Sequence, residues 1–244
     1  MKEIKLIALD MDGTLLDNHG NISPANRQAI KEAQEKGISV VFSTGRTMMT
    51  CRDYAESLQL SSYLVTVNGA EIWTGSGELL ERNLIEADLV RWMWELSQKY
   101  STYFWCVTID QVWRNDIPAD ILAHQWLKFG FDTDDQAARE KILQELETER
   151  DRVEITNSSP TNIEVNAKGV NKAQGLKSVC RRIGISMENV MALGDSLNDL
   201  AMIKEAGLGV AMGNAQPVVK EAADWITATN QEDGVAQAIR HWVL

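Results

Sequence analysis

Two aspartates near the start of the chain, Asp10 and Asp12, directly follow a short apolar run, LIAL at 6–9. Such a run is typical of a buried β-strand, and Gly13 lets the backbone turn sharply after the acidic pair. In an extended strand residues i and i+2 point the same way, so both carboxylates can address one ligand beyond the strand end. The pair therefore predicts a binding site rather than a merely solvated strand end.

A second acidic motif, GDSLND at 194–199, adds Asp195 and Asp199. Neighbouring carboxylates suppress each other's ionisation unless a cation lies between them, so four acids in one crevice predict a metal site. Oxygen ligands without His or Cys favour a hard cation, and Mg²⁺ fits best because proteins bind it through one or a few carboxylates plus waters and phosphate oxygens. The spacing of an EF-hand calcium loop does not occur.

A cation beside a free carboxylate suggests phosphoryl transfer. Carboxylate nucleophiles form acyl phosphates, and the transferring group needs positive charge and hydrogen-bond donors around its oxygens. Side chains suited to donate are available at Thr44, Arg46, Lys172 and Asn198.

The elements that position these residues follow a regular rhythm. Helix-like stretches, such as 23–36 with its Ser-Pro start and 199–206, separate most of a series of short strand-like runs. The runs lie at 4–9, 39–42, 63–67, 190–193 and 208–212, with a weaker one at 225–227. This alternation predicts an α/β fold with a doubly wound parallel sheet, in which ligands bind beyond the carboxyl ends of the strands.

The rhythm changes between about 82 and 168. The pattern there predicts adjacent strands joined by short turns, which indicates an antiparallel sheet with helices on one face. We expect helices at 86–99, 119–128 and 134–149, strands at 102–109 and 112–114, and a hairpin of 152–156 with 162–166.

We therefore predict a catalytic core domain of residues 1–81 and 168–244, interrupted by a smaller inserted α+β domain of residues 82–167. In the first strand of the insert, we expect one apolar face to pack against the helices, namely Tyr103, Trp105, Val107 and Ile109. In the hairpin, we expect Ile163 and Val165 to pack, because they alternate with polar residues.

Composition excludes several function classes. The formal charge is −11 and there is no long basic tract, so binding to nucleic acid or to an anionic membrane is not expected. Three cysteines without CxxC spacing predict buried thiols in a reducing compartment, and no stretch is apolar enough for a signal peptide or a membrane span. We expect a cytoplasmic protein; the oligomeric state is not indicated.

Four motifs in this order, DMDGTLLD (10–17), STGR (43–46), GVNK (169–172) and GDSLND (194–199), resemble those of the haloacid dehalogenase superfamily of phosphatases. The segments NGA (68–70), AMGNA (211–215) and DGVA (233–236) are similar to its Cof-type group. The resemblance implies a Rossmann-like core with a class IIB cap domain inserted between the second and third motifs.

The resemblance also implies roles for the acidic residues. Asp10 would be the nucleophile that becomes an aspartyl-phosphate, and Asp12 would protonate the leaving alkoxide and later deprotonate the attacking water. Mg²⁺ would be bound by the Asp10 carboxylate, the Asp12 main-chain carbonyl and Asp195, with Asp199 either binding it directly or orienting a bound water.

Further residues are implied for binding the substrate. Lys172 would act on the phosphate together with Thr44 and Asn198, whereas Arg46 and the loop after the third strand would line the entrance. The complete implied set for the substrate and its phosphate is Thr44, Gly45, Arg46, Asn68, Gly69, Lys172 and Asn198.

The implied activity is a magnesium-dependent phosphatase that hydrolyses a small phosphorylated metabolite, such as a sugar or polyol phosphate monoester. A phosphotransferase or phosphomutase of the same superfamily is the nearer alternative. A signalling receiver domain, which is also phosphorylated on an aspartate, is disfavoured because it needs neither the proton transfer at Asp12 nor an inserted domain.

Overall fold

The computed structural model describes residues 3–244. The chain forms two compact units, the first of which contains the chain up to Glu81 and Lys172–Leu244, and the second Arg82–Asn171. The chain thus returns to the first unit at Lys172, where the sequence pattern placed the boundary at 168.

The secondary structure of the chain falls into three segments. The first segment contains β1 (Leu6–Leu9), α1 (Pro24–Glu35), β2 (Ser39–Ser43), α2 (Met48–Ser57), β3 (Tyr63–Thr66), β4 (Glu71–Thr74) and β5 (Leu79–Arg82). The middle segment contains α3 (Ala87–Lys99), β6 (Tyr103–Thr108), β7 (Val112–Arg114), β8 (Trp126–Asp132), α4 (Gln136–Glu147), β9 (Val153–Thr156) and β10 (Asn162–Ala167). The last contains α5 (Lys172–Ile183), β11 (Val190–Gly194), α6 (Leu200–Glu205), β12 (Leu208–Ala211), α7 (Pro217–Ala222), β13 (Trp225–Ile226) and α8 (Gly234–Trp242).

The first unit is built on a sheet with the strand order β13-β12-β11-β1-β2-β3-β4-β5. Strands β13 through β3 pair in parallel, which confirms the predicted α/β fold class, and β4 pairs antiparallel with β3. The sequence pattern does not predict β4 or β5, because their short runs flank a turn-forming segment, TGSG at 74–77, that resembles a loop.

The two faces of this sheet are both buried. In β1, Ile7 and Leu9 belong to one hydrophobic cluster, whereas Leu6 and Ala8 belong to another, because successive side chains of a strand point to opposite faces. Helix α1 contributes to the first cluster and α5 to the second. Helices on both faces leave only the strand ends open to a ligand.

Helix α1 begins with the Ser-Pro cap that its sequence predicts. The Ser23 side chain accepts a hydrogen bond from the backbone N–H of Asn26 at 3.1 Å, and Pro24 occupies the first turn. A serine oxygen satisfies an otherwise unpaired N–H there, and proline lacks the N–H that would need a partner.

The second unit contains a five-stranded sheet with the order β7-β6-β8-β10-β9, and its strands pair antiparallel as predicted. The predicted helix at 119–128 is wrong. Only a single 3-10 turn forms at Ile121–Ala123, and β8 follows as the central strand between β6 and β10. A short run with apolar residues at irregular spacing is compatible with either a helix or a strand. Hydrogen bonding to β6 on one side and β10 on the other stabilises the strand.

The predicted packing face of β6 is also wrong. Phe104 and Cys106 belong to the core of the second unit, and the Phe104 ring stacks on Phe129 of β8 with centroids 5.7 Å apart. On the face predicted to pack, Val107 is buried, but Tyr103 and Ile109 are 44% and 39% exposed, and none of the three belongs to that core. Both faces of this strand are apolar, so alternation along the strand carries no information and the facing rings determine which side is buried.

The hairpin prediction is confirmed, since Ile163 and Val165 lie in that core. All three cysteines are free and buried, as expected. Within residues 3–244, no helix combines the length and the apolar character needed to cross a membrane.

Candidate active site

The acidic site of the first unit forms where neighbouring parallel strands end. Strands β1 and β11 pair directly, so the segments that follow them lie side by side although they are far apart in the chain. One carboxylate oxygen each of Asp10, Asp195 and Asp199 lies within 4.8 Å of the others. The sheet therefore brings three of the four predicted acids into one group.

Lys172, the first residue of α5, lies within this group with its side chain fully buried. Its Nζ donates to Asp10 Oδ1 at 2.6 Å and to Asp199 Oδ1 at 2.7 Å. Burial opposes the charge of the lysine, but Asp10 and Asp199 outweigh that effect and raise its pKa. The charged form of Lys172 is thus favoured by its position between two carboxylates.

The site nevertheless carries an excess of negative charge. Burial raises the pKa of Asp10 well above its ordinary value; Lys172 opposes this shift, and the charges of Asp199 and Asp195 add to it. Burial, followed by the charge of Asp199, raises the pKa of Asp195 to about 7. A hard divalent cation bound to these oxygens would offset the repulsion, so the donor set fits Mg²⁺.

Asp199 organises the loop after β11. Its Oδ2 accepts hydrogen bonds from the backbone N–H groups of Asp195 at 2.9 Å and Ser196 at 3.1 Å, while Oδ1 accepts from Lys172. A Cβ on Gly194 would overlap the Cβ and Cγ atoms of Asp199. The loop can fold back onto Asp199 only because residue 194 has no side chain.

Asp195 is held by residues on both sides of the site. Its Oδ1 accepts from the Thr14 hydroxyl at 3.2 Å and its Oδ2 from the Ser196 hydroxyl at 2.9 Å. Gly13 has φ +82°, and a Cβ there would lie 2.6 Å from Asp195 Oδ2. Glycine is therefore required at position 13 for both its backbone conformation and its close approach to Asp195.

Asp12 has different neighbours from the other three acids. Its side chain, 59% exposed, accepts two hydrogen bonds from Arg46, from Nε at 2.8 Å and from Nη2 at 2.7 Å. The i, i+2 rule fails here because β1 ends at Leu9 and the backbone of Asp10 and Asp12 is no longer a regular strand. The pattern predicts one crevice for all four carboxylates, but the Asp12 carboxylate is outside the acidic group.

The segments after β2 and β3 are tied to each other by backbone hydrogen bonds. Asn68 N–H donates to the carbonyl of buried Thr44, and Val67 N–H to that of Arg46, both at 2.9 Å. The Thr44 hydroxyl accepts from the backbone N–H of Arg46 at 3.1 Å. Gly45 and Gly69 lie within these two segments, so the structure brings together the predicted residues of both.

Asn198 connects the loop after β11 to the loop after β3. Its Nδ2 donates to Asn68 Oδ1 at 3.3 Å, and both residues are buried. Among the described residues nothing donates to Asn198 Oδ1. The predicted phosphate-binding amide is thus already paired with a second predicted site residue.

Three residues that contact the site were not among the predictions. Thr14 and Ser196 bond the Asp195 carboxylate, and Asn214 Nδ2 donates to the Gly13 carbonyl at 2.8 Å. Thr14 and Ser196 lie inside the DMDGTLLD and GDSLND motifs, and this position in the sequence could have identified them as site residues. Asn214 lies inside the AMGNA segment, but an asparagine between a glycine and an alanine is also typical of an ordinary turn.

The chain matches the haloacid dehalogenase-like hydrolase family over residues 7–129 and 114–239. It is 61% identical over 242 residues to a 5-amino-6-(5-phospho-D-ribitylamino)uracil phosphatase of Bacillus subtilis (strain 168), covering 99% of this chain and 97% of that protein. A solved haloacid dehalogenase-like hydrolase from B. subtilis is similar with a TM-score of 0.89 at 26% identity, covering 99% and 100% of the two chains. A solved subclass IIB sugar phosphatase is similar with a TM-score of 0.83 at 26% identity, covering 97% and 98%.

The chain therefore belongs to the haloacid dehalogenase-like hydrolase family, in its Cof-type group with a class IIB cap. It is a phosphoric monoester hydrolase whose substrates are small phosphorylated metabolites. The resemblance identified from the motifs is confirmed.

Proposed function

We propose that the protein is a magnesium-dependent phosphatase that hydrolyses a sugar or polyol phosphate monoester through an aspartyl-phosphate at Asp10. The observation that carries the proposal is the buried Asp10 carboxylate, which Lys172 bonds at 2.6 Å beside two further carboxylates. The name of the 61% identical B. subtilis relative supports a polyol phosphate, since its substrate carries a phosphorylated ribityl chain. We propose the same compound as the first substrate to test.

In the first step an ionised oxygen of Asp10 attacks phosphorus, and the bond between phosphorus and the ester oxygen breaks. Asp12 gives its proton to the departing alkoxide. In the second step Asp12 takes a proton from water, whose oxygen attacks the phosphorus of the aspartyl-phosphate. The bond between phosphorus and the Asp10 oxygen breaks, inorganic phosphate leaves, and both aspartates return to their starting states.

Lys172 has two tasks in this scheme. Its bond to Oδ1 favours the ionised form of Asp10 against the effect of burial and fixes the direction of the carboxylate. Its charge also attracts the phosphoryl oxygens, together with the donors proposed at Thr44 and Asn198. Gly45, Asn68 and Gly69 would shape the entrance from the two tied segments.

Mg²⁺ would be held by Asp10, Asp195 and the main-chain carbonyl of Asp12. When bound, it would neutralise part of the negative charge on the transferring phosphoryl group. The donors that already occupy Asp199, namely Lys172 and two backbone N–H groups, favour a positioning role for this residue.

The proposal is tested with p-nitrophenyl phosphate, D-ribose 5-phosphate and the ribityl compound, each with Mg²⁺ and with a chelator. We expect turnover only with Mg²⁺, and we expect Asp10→Asn to abolish it because an amide is a poor nucleophile toward phosphorus. Asp53→Asn, at an exposed position of α2, is the matched control and should retain full activity.

Phosphate release by Asp10→Asn at the wild-type rate would refute the assignment of the nucleophile. Transfer of the phosphoryl group to an added sugar or polyol in preference to water would show a phosphotransferase instead. Phosphorus NMR of the products distinguishes the two reactions.

A further inference from the structure

Arg46 was predicted at the entrance of the site, but its guanidinium group is directed at Asp12. Nε and Nη2 form a two-pronged contact with the two carboxylate oxygens, at 2.8 and 2.7 Å. Two parallel N–H···O bonds fix the plane of a carboxylate as well as its position, which a single donor does not do.

Arg46 is itself held firmly by the first unit. Its Cζ lies 5.3 Å from the centroid of the Tyr54 ring, and Nη1 donates to the carbonyl of Thr50 at 3.3 Å, both on α2. Its backbone bonds Thr44 and Val67. The Arg46 side chain is 26% exposed, less than half the 59% of Asp12.

This difference in exposure indicates which of the two residues orders the other. An exposed aspartate samples several rotamers, and fixing it in one of them requires a partner that is already ordered. Arg46 meets that requirement through its contacts with both α2 and the segment after β3. Proton transfer depends steeply on such placement, because an error of about 1 Å can cost about a hundredfold in rate.

We propose that Arg46 is a positioning residue that acts on the reaction through Asp12, by holding the carboxylate that transfers the proton. The inference rests on the proposed function, in which Asp12 is the acid and base. It differs from a role in binding the substrate, since Arg46 would then act on the phosphate whether or not Asp12 could transfer a proton.

A double-mutant cycle of Arg46→Ala and Asp12→Asn, with D-ribose 5-phosphate as substrate, tests the proposal. We expect each single substitution to lower kcat, Arg46→Ala by about 10–100-fold and Asp12→Asn by about 100-fold or more. In the Asp12→Asn background, Arg46→Ala should have little further effect, because the group that it positions has already lost its function.

Two further readouts separate positioning from binding. The KM and the inhibition constant of inorganic phosphate should change less than about threefold in Arg46→Ala if the guanidinium does not bind the phosphoryl group. Arg46→Lys should fail to restore kcat, because an ammonium group keeps the charge without the two-pronged geometry. Arg52→Ala, which removes an exposed arginine of α2 paired with Glu56, should match the wild type.

Multiplicative losses in the double mutant, or a large rise in the phosphate inhibition constant, would overturn the proposal and assign Arg46 to substrate binding. Full activity of Arg46→Lys would overturn it as well. If Arg46→Ala does not fold, as judged by circular dichroism, Arg46→Gln replaces it in the cycle. Asp10→Asn is measured in parallel, so that activity there would refute the proposed function itself.

Discussion

The side chain of Lys172 is a buried charge at the centre of the acidic group. Two carboxylates, Asp10 and Asp199, accept from it at 2.6 and 2.7 Å, and all three side chains are nearly or completely inaccessible to solvent. Removing one member of a buried ionic group leaves the others uncompensated in a medium that solvates them poorly. The lysine therefore stabilises the ionised form of Asp10, the proposed nucleophile, and the fold around it.

We expect Lys172→Met to lower the free energy of unfolding by about 3–5 kcal/mol and to abolish phosphatase activity. Methionine occupies a similar volume, so the loss would reflect the charge rather than a cavity. Urea unfolding at neutral pH with a chelator present measures the first effect, and Lys31→Met, at an exposed pair with Glu35, is the control. A variant as stable as the wild type would show that the carboxylates do not depend on the lysine.

At the scale of elements, the site depends on the short segments that follow β1 and β11. These strands are neighbours, and each segment depends on a glycine: Gly13, with φ +82°, lies after β1, and Gly194, at the end of β11, leaves room for Asp199. The acidic residues belong to these segments rather than to the strands. A change at either glycine should therefore alter the site while leaving the sheet intact.

We expect Gly194→Ala to lower the free energy of unfolding by about 1–3 kcal/mol and to reduce kcat, because the new Cβ would displace Asp199 from Lys172 and from the loop N–H groups. Thermal unfolding and steady-state kinetics measure the two effects. Gly37→Ala is the control. Residue 37 also has a positive φ, +80°, but a Cβ there would have no neighbouring atom within 4 Å, so we expect about 1 kcal/mol of strain with kcat unchanged. Equal kinetic effects of the two substitutions would contradict this account of the loop.

Elements also show where sequence patterns mislead. The core strands of the first unit were recognisable because each is a short apolar run that ends in polar residues. The first three residues of β8, 126–128, fall at the end of the predicted helix 119–128, and the rest of the strand has no prediction. Its run WLKFGFD has no clear period, and its strand conformation depends on pairing with β6 and β10. The sequence of β8 alone does not contain its partners.

The whole molecule consists of two units that each have their own hydrophobic core. All residues of one cluster, among them Phe104, Phe129 and Val165, belong to the second unit, and the members of the other two clusters belong to the first. A unit with its own core and a complete sheet has the contacts that independent folding requires.

We expect the isolated fragment Arg82–Asn171 to fold, with a cooperative thermal transition and dispersed amide proton signals. A fragment that ends at Glu149 is the control: it lacks β9 and β10, so β8 loses one of its two neighbours and the core loses Ile163 and Val165. We expect that control to give no cooperative transition. The same absence in the longer fragment would refute the independence of the second unit.

The chemistry of this protein was readable from residue types and their order along the chain. Four short motifs, three of them at strand ends, identify the family, the acids and the lysine, because each motif is local and its chemical groups are specific. The carboxyl ends of parallel strands meet at one edge of a sheet whatever the details of the loops. The convergence of Asp10 with Asp195 could therefore be predicted.

Which oxygen meets which donor was decided only by the tertiary structure. Asp12 faces Arg46 because the backbone leaves the strand after Leu9, and Asp199 binds loop N–H groups and Lys172 because Gly194 lets the chain approach. These contacts join segments whose relative placement depends on sheet register and helix packing. That placement is a property of the assembled core and is absent from any single motif.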